Sequence, residues 1–419
     1  MDIMVNSIGQ EITFLKLDTR VIKSFDEVLS NHIEVVETSL WSVLRKMVLR
    51  KGVAKALQAC ASSVLHKRSD YEFLTTGNVL RKKIRLPGLF GNKAISAAYS
   101  WVKRTQAALL LDYLKEHLSQ YDWDRLIVVV FNGSNYPESV LAEASKRFRR
   151  VFVEDGFFPG TLQIDPVGIN AANSVPRCSA FYKRGRDFSE GGLPTAVTNR
   201  PSKRKFTRVD LAPGFVFVPF QVPSDMQVTL HSPWVKDMYH FYDIVINAAD
   251  QNPEEMFVIK EHPRFKRSVI GTRPRHPRVK FANGNITSEL ISNARTVVTI
   301  NSTVGIEALL LGKQVITLGD ACYNIQDLVL RANDMGRLNA ALALRGWLPE
   351  EELRRQFLGF LWNYYLVKGS FAEPPIALAS RILDRFELDS EVRDVIANLN
   401  SCNKWSRDQP CSVLCASSG

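Results

Sequence analysis

Phe257-Val-Ile-Lys-Glu-His-Pro-Arg264 and Thr299-Ile-Asn-Ser-Thr-Val-Gly-Ile-Glu-Ala308 are hydrophobic strands that each run out into polar residues. The second leads directly into an apolar helical run over 304–311, with Gly312 placed to stop it. Strand followed at once by helix is the unit from which parallel sheets are built. The same rhythm extends on both sides of the two stretches. It reads as a strand over 215–219, a helix over about 235–249, and strands at 256–260 and 279–281. A helix at 287–293, a strand at 296–300, the helix after residue 303 and a strand at 314–318 follow. This is a doubly wound sheet, whose ligands are expected beyond the carboxyl ends of its strands.

Towards the N-terminus a second α/β segment is visible. Arg125-Leu-Ile-Val-Val-Val-Phe131 reads as a buried strand, 137–149 as a helix with Pro at its first turn, and 150–154 as the next strand. Residues 1–120 read mostly as helices, with helical periodicity over 40–65 and 95–118 and a strand near Phe14. Residues 187–207 are rich in Gly, Pro, Arg, Lys and Ser and read as a linker. The expected organisation is an N-terminal α/β domain over 1–205 with a helical N-terminal region, a C-terminal α/β domain over 206–398, and a polar tail over 399–419 expected to be disordered. The fold class is α/β, with two Rossmann-like domains facing a cleft.

Composition fits a packed globular chain: 419 residues, 45% hydrophobic and 23% charged, with a formal net charge of +11. That excess favours an anionic ligand or surface. Basic clusters such as Arg81-Lys-Lys-Ile-Arg85 lack the aromatic interleaving of a single-strand binder, and no nucleic-acid partner is expected. Cysteines at 60, 178, 322, 402, 411 and 415 show no C-x-x-C spacing. No signal peptide and no apolar run of ~18 residues is visible, so a cytoplasmic location is expected, with contact to an anionic inner-membrane surface left open.

Four clusters carry candidate chemistry. Asn301-Ser302-Thr303 ends a strand and opens a helix, where backbone N–H groups and two hydroxyls suit a phosphate. Gly305 would let a ligand approach the backbone, and Glu307 lies one turn in, within reach of a ribose. The same residues also fit an ordinary helix cap. Lys260, His262, Pro263 and Arg264 place two cations and an imidazole on one stiffened loop, fit for a leaving phosphate. Asp225, flanked by Gln221, Gln227 and His231, is a strand-end carboxylate fit to be a nucleophile or to close a turn. Glu154-Asp155-Gly156, then Asp165 and Arg177, follow the last strand of the first half. A carboxylate there could act as general base, and Arg177 could pair with a substrate carboxylate. Asp122-Trp-Asp124 precedes a strand instead of ending one and reads as a turn, so no metal site is expected. No glycine-rich phosphate loop is present, which points to a sugar nucleotide and away from ATP or NAD.

These motifs, in this order over about residues 125–325, resemble the bacterial capsule and lipopolysaccharide β-Kdo transferases. The resemblance rests on Glu154-Asp-Gly-Phe-Phe-Pro, Asp165-Pro-Val-Gly-Ile-Asn and Asn173-Ser-Val-Pro-Arg177. It rests also on Pro219-Phe-Gln221 with Asp225-x-Gln227, Lys260-x-His-Pro263 and Asn301-Ser-Thr-Val-Gly-Ile-Glu307. It implies a GT-B-like fold, CMP-β-Kdo as donor, no metal or other cofactor, and transfer with retention to a glycan or glycolipid. Asp225 then matches the nucleophile, Glu154 the acid/base (with Asp155 beside it as the alternative), and His262-Pro263 with Ser302-Thr303 the CMP-phosphate motifs. An inverting, sialyltransferase-like CMP-sugar transferase and a non-catalytic capsule-assembly partner are the competing readings.

Overall fold

The computed structural model describes residues 11–30, 32–183, 185–195, 206–263 and 268–387. Its strands are β1 (Thr13–Leu17), β2 (Ile33–Val36), β3 (Leu126–Phe131), β4 (Arg149–Asp155), β5 (Thr161–Asp165) and β6 (Val216–Pro219). There follow β7 (Phe257–Lys260), β8 (Val279–Phe281), β9 (Thr296–Thr299), β10 (Gln314–Thr317), β11 (Leu330–Arg331) and β12 (Val367–Lys368). They form two six-stranded sheets in two compact units. The chain thus has two Rossmann-like α/β units, the class expected from its strand–helix rhythm.

The first unit holds the described residues through Gly156, Gly160–Ile169 and the stretch from Val367. Its sheet order is β12-β5-β4-β3-β1-β2, parallel except where β5 runs against β4 and β12. β3 shows why a continuous apolar run makes a central strand. Leu126, Val128 and Val130 pack into one core with Leu110 and Leu114 of the helix Lys93–Leu118. Ile127 and Val129, on the opposite face, pack with Leu378 and Ile382 of the helix Leu378–Glu387. Alternation along the strand sends successive side chains to opposite layers, so both faces need a cover. The second cover comes from the far end of the chain. The units therefore divide near residues 156–170, where the linker signal placed the division at 205, and the C-terminal helix belongs with the first unit. The linker's centre and the tail lie outside the described residues.

The second unit comprises Phe157–Pro159 and Asn170–Leu366 among the described residues. Its sheet is wholly parallel, in the order β11-β10-β9-β6-β7-β8. Renumbered within the unit this is 3-2-1-4-5-6 read from the β8 side, the Rossmann order, with its reversal between β6 and β9. Phe217 and Val297 face one core, and Val216, Val218 and Val298 the other.

Each sheet has its own switch point. In the first unit it lies between β1 and β3, and Glu138 closes it. This carboxylate is buried, and it accepts hydrogen bonds from the Thr19 hydroxyl after β1 and from the Phe131 N–H (3.0 Å) at the end of β3. Burial pushes its carboxyl up from 4.5 to about 7; the bonds from Thr19 and Phe131 and the charge on Lys16 only partly oppose this. Because the folded value lies above the unfolded one, the folded state keeps the proton longer. Stability should fall as pH rises from the unfolded value to about 7 and stay lower above it. The decline is worth about 3 kcal/mol. Glu138→Gln keeps the shape without the charge, and urea unfolding at mildly acidic and mildly basic pH should show that decline abolished.

Candidate functional site

At the second unit's switch point the loops after β6 and β9 meet through one pair of amides. Gln221 Nε2 donates to Asn301 Oδ1 at 3.0 Å, and the Asn301 N–H donates to Gln221 Oε1 at 3.3 Å. Asn301 Nδ2 donates onward to the carbonyls of Gln227 (2.8 Å) and His231 (3.0 Å). Both side chains are buried. A buried amide is retained without cost only when its donors and acceptors are matched, as they are here. The two amides fix the path of residues 221–231 against the end of β9.

That path presents Asp225. It is exposed and caps the one-turn helix Met226–Thr229, accepting from the Gln227 N–H at 3.0 Å. The turn expected of Pro-Ser-Asp is therefore real, and the carboxylate stands at its outer edge. The Gln227 side chain accepts from the Ala171 N–H at 3.4 Å, tying in the loop of 170–177. Arg177 staples this loop. Its guanidinium donates to the carbonyls of Ala171 (2.7 Å), Asn173 (3.0 Å) and Val175 (3.0 Å), and to Asn173 Oδ1 (3.3 Å). Pairing with a substrate carboxylate was the expectation for Arg177; four of its bonds instead hold its own loop. His231 is half-buried, and burial lowers its imidazole below the ordinary 6.5. Asp320 and Asp225 oppose that shift and Arg177 adds to it, so three charged side chains act on this imidazole.

Across the reversal, Ser302 and Thr303 lead into the helix Val304–Leu310. The Ser302 hydroxyl accepts from the Val304 N–H (3.2 Å), and its carbonyl accepts from the Tyr323 hydroxyl (2.6 Å). Gly305 serves that tyrosine: a Cβ there would stand 2.4 Å from the Tyr323 oxygen. The room attributed to a ligand's approach is filled by the phenol. Gly305→Ala should cost about 1–3 kcal/mol, read as a lower urea midpoint, because Tyr323 must leave its bond to Ser302. Glu307 is buried in the same helix at 2% exposure.

One strand further along, Lys260 ends β7. Its ammonium donates to the carbonyls of Asn285 and of Asn283 (3.4 Å), and burial lowers it below the ordinary 10.5. It braces the loop after β8. His262 and Pro263 follow, half-buried, on the turn beyond β7; Arg264 lies outside the described residues. The residue that shapes this turn went unrecognised in the sequence. Glu261 accepts from the Ser268 hydroxyl (2.8 Å), the Val269 N–H (2.7 Å) and Asn283 Nδ2 (2.9 Å). No local pattern marks it, since Asn283 comes from the next strand's loop. β7 and β9 flank β6, so His262 and Ser302-Thr303 leave the sheet two strand spacings apart, about 10 Å. One carboxyl edge thus carries a carboxylate, an imidazole and two hydroxyls.

The first unit carries the other carboxylates. Glu154, at the end of β4, accepts from Asn132 Nδ2 (2.5 Å) and from the Asp155 N–H (3.1 Å). Asn132 takes a left-handed backbone (φ 61°) to present that amide. Asp155 is exposed. Asp165 is fully buried and accepts from the Val167 (2.7 Å) and Gly168 (3.1 Å) N–H groups, closing the turn after β5. Asp122 likewise lies in the turn before β3, where its carbonyl accepts from the Arg125 N–H.

Residues 202–335 match the family model described as capsule polysaccharide biosynthesis protein. The chain is 91% identical over 402 residues to Protein FixF of Sinorhizobium fredii (strain NBRC 101917 / NGR234), covering 96% of this chain and 100% of that protein. It is 22% identical over 316 residues to the capsule polysaccharide export protein KpsS of Escherichia coli, covering 59% of this chain and 79% of that one. Among solved structures it is similar to the KpsC β-Kdo 2,7 transferase of Thermosulfurimonas dismutans. There the TM-score is 0.43 and the identity 16%, over 90% of this chain and 99% of that one.

Proposed function

This chain belongs to the family of Protein FixF, and from that premise we propose that it is a glycosyltransferase of capsule-type polysaccharide synthesis. It moves β-Kdo from CMP-β-Kdo to a glycan or glycolipid acceptor with retention of configuration. The observation that carries this is the Gln221–Asn301 pair, which holds Asp225 at the carboxyl-end switch point beside the Ser302-Thr303 strand end. Ligands of open α/β sheets bind at such reversals. The order of the motifs and the capsule polysaccharide biosynthesis match over 202–335 support an anionic sugar nucleotide.

In this reading an Asp225 oxygen bonds to the anomeric carbon as the bond from that carbon to the phosphate oxygen breaks. CMP leaves with the electron pair, its charge met by His262 and the donors at 302–303. Glu154 takes the proton of the acceptor hydroxyl, whose oxygen displaces Asp225. Two displacements restore the starting configuration. A donor with a single phosphate needs no pyrophosphate-binding metal. The test is incubation with CMP-Kdo and a panel of glycan and glycolipid acceptors, with the linkage read by NMR. A β-linked product is expected. An α-linked product would place the chain with inverting CMP-sugar transferases, and an untouched donor with every acceptor would make it a non-catalytic partner.

A further inference from the structure

We propose that the helical pair at residues 40–65 lies flat on an anionic lipid surface. The helices Leu40–Lys51 and Val53–Val64 are joined at Gly52, whose φ of 81° suits glycine. Their inner positions, Val43, Met47 and Ala56, are buried in the first unit's core. Their outer positions are apolar as well. Trp41 is 84% exposed, Leu49 74%, Val53 62% and Leu57 64%, and Leu65, just past the second helix, is 82% exposed. In the second helix Val53 and Leu57 are four residues apart and Val64 is seven further on, so they share one face. Scattered exposed apolar residues are ordinary, but a concentration on adjoining helices marks an interaction surface.

Charge identifies the occupant. Residues 40–102 hold twelve Lys and Arg against two acids, Asp70 and Glu72, so this stretch supplies +10 of the chain's +11. Arg45 and Lys55 are exposed on the same two helices as the apolar outer residues. A second copy of the chain docked by two-fold symmetry would bring basic residues against basic residues. A bilayer with anionic headgroups takes both components: apolar side chains enter the headgroup boundary, Trp41 sits at the level it favours, and Lys and Arg meet phosphate. The attachment is in-plane, since no described helix is long and apolar enough to cross a membrane. The proposal is independent of the sugar donor, and binding is measured without it.

The test is co-sedimentation of the full chain with vesicles of phosphatidylcholine alone and of phosphatidylcholine with phosphatidylglycerol. Binding to the mixed vesicles should exceed binding to the neutral ones at least about tenfold and fall with added salt. The variant carrying Trp41→Ser, Leu49→Ser, Val53→Ser and Leu57→Ser should lose binding about tenfold or more with an unchanged circular dichroism spectrum, because those side chains are exposed. Arg45→Glu with Lys55→Glu should lose the preference for phosphatidylglycerol. Equal binding by wild type and the four-site variant, or no binding to either vesicle, overturns the proposal. So does a dimer in sedimentation velocity that the four-site variant dissolves while vesicle binding is absent, which would make the face a self-interface.

Discussion

Replacing Asp225 by Asn is expected to cut sugar transfer about 10⁴-fold or more while changing stability by only a few tenths of a kcal/mol. The substitution separates two jobs of one side chain. Asp225 caps the helix Met226–Thr229 by accepting the Gln227 N–H, and an Asn amide oxygen accepts equally well. An amide does not bond to an anomeric carbon as a carboxylate does. Asp225→Ala, by contrast, loses the cap too and should cost about 1 kcal/mol of stability. Intact-mass spectrometry after exposure to CMP-Kdo without acceptor gives the second readout. Wild type should gain the mass of one Kdo residue, and Asp225→Asn should not. Wild-type transfer by Asp225→Asn would reduce Asp225 to a helix cap.

Much of the scaffold is legible in the sequence because buried parallel strands are continuous apolar runs between helices. The runs at 125–131, 215–219 and 296–300 are central strands, and the helix expected near 287–293 is Thr287–Asn293. β5 escaped because Thr161-Leu-Gln-Ile-Asp165 carries polar residues within it and lies between Gly-Pro turns, where it resembles a loop. β12 has two residues and is defined only by its pairing with β5, some two hundred residues earlier. The cover of the first sheet by Leu378 and Ile382 is equally non-local. Periodicity reports that a helix has an apolar face, not which sheet that face meets.

The site was legible in position more than in role. Strand-end polar residues were found at the reversal of the second sheet, whereas in the first unit the carboxylates found end β4 and β5, and Glu138 at the reversal between β1 and β3 was not among them. The partners of these residues were not found, since a side chain's partner is set by chain crossings that leave no spacing behind. Gly305 answers to Tyr323, Arg177 to the carbonyls of 171–175, and Lys260 to Asn283 and Asn285. The two units solve a common problem in the same manner. At each reversal the neighbouring strands part, leaving backbone groups that need partners. In the first unit Glu138 spans the gap from Thr19 to Phe131; in the second Gln221 and Asn301 span it from β6 to β9. The charged bridge leaves its unit sensitive to pH, and the amide bridge does not.

That amide bridge is where a change of a few atoms should do the most structural damage to the site. Asn301→Ala strands the Gln221 amide and the Gln227 carbonyl in a buried setting, while the His231 carbonyl keeps the Asp320 N–H at 2.8 Å. Two unpaired buried groups put the expected loss near 3 kcal/mol, measured by urea unfolding. Asn301→Asp should do worse. It keeps the acceptor for Gln221 but turns a carboxylate oxygen toward the carbonyls of Gln227 and His231, which already faced a donor. Like-sign partial charges at that distance in a buried site cost more than a missing bond. Transfer should suffer more steeply than stability, because residues 221–231 carry Asp225 and a shift of about 1 Å is worth about 10²-fold in rate. Folded Asn301→Ala, saturated with donor, should therefore show kcat down by about that factor. If unfolding moves by less than about 1 kcal/mol and kcat stays at the wild-type value, the amide pair does not hold the nucleophile in place.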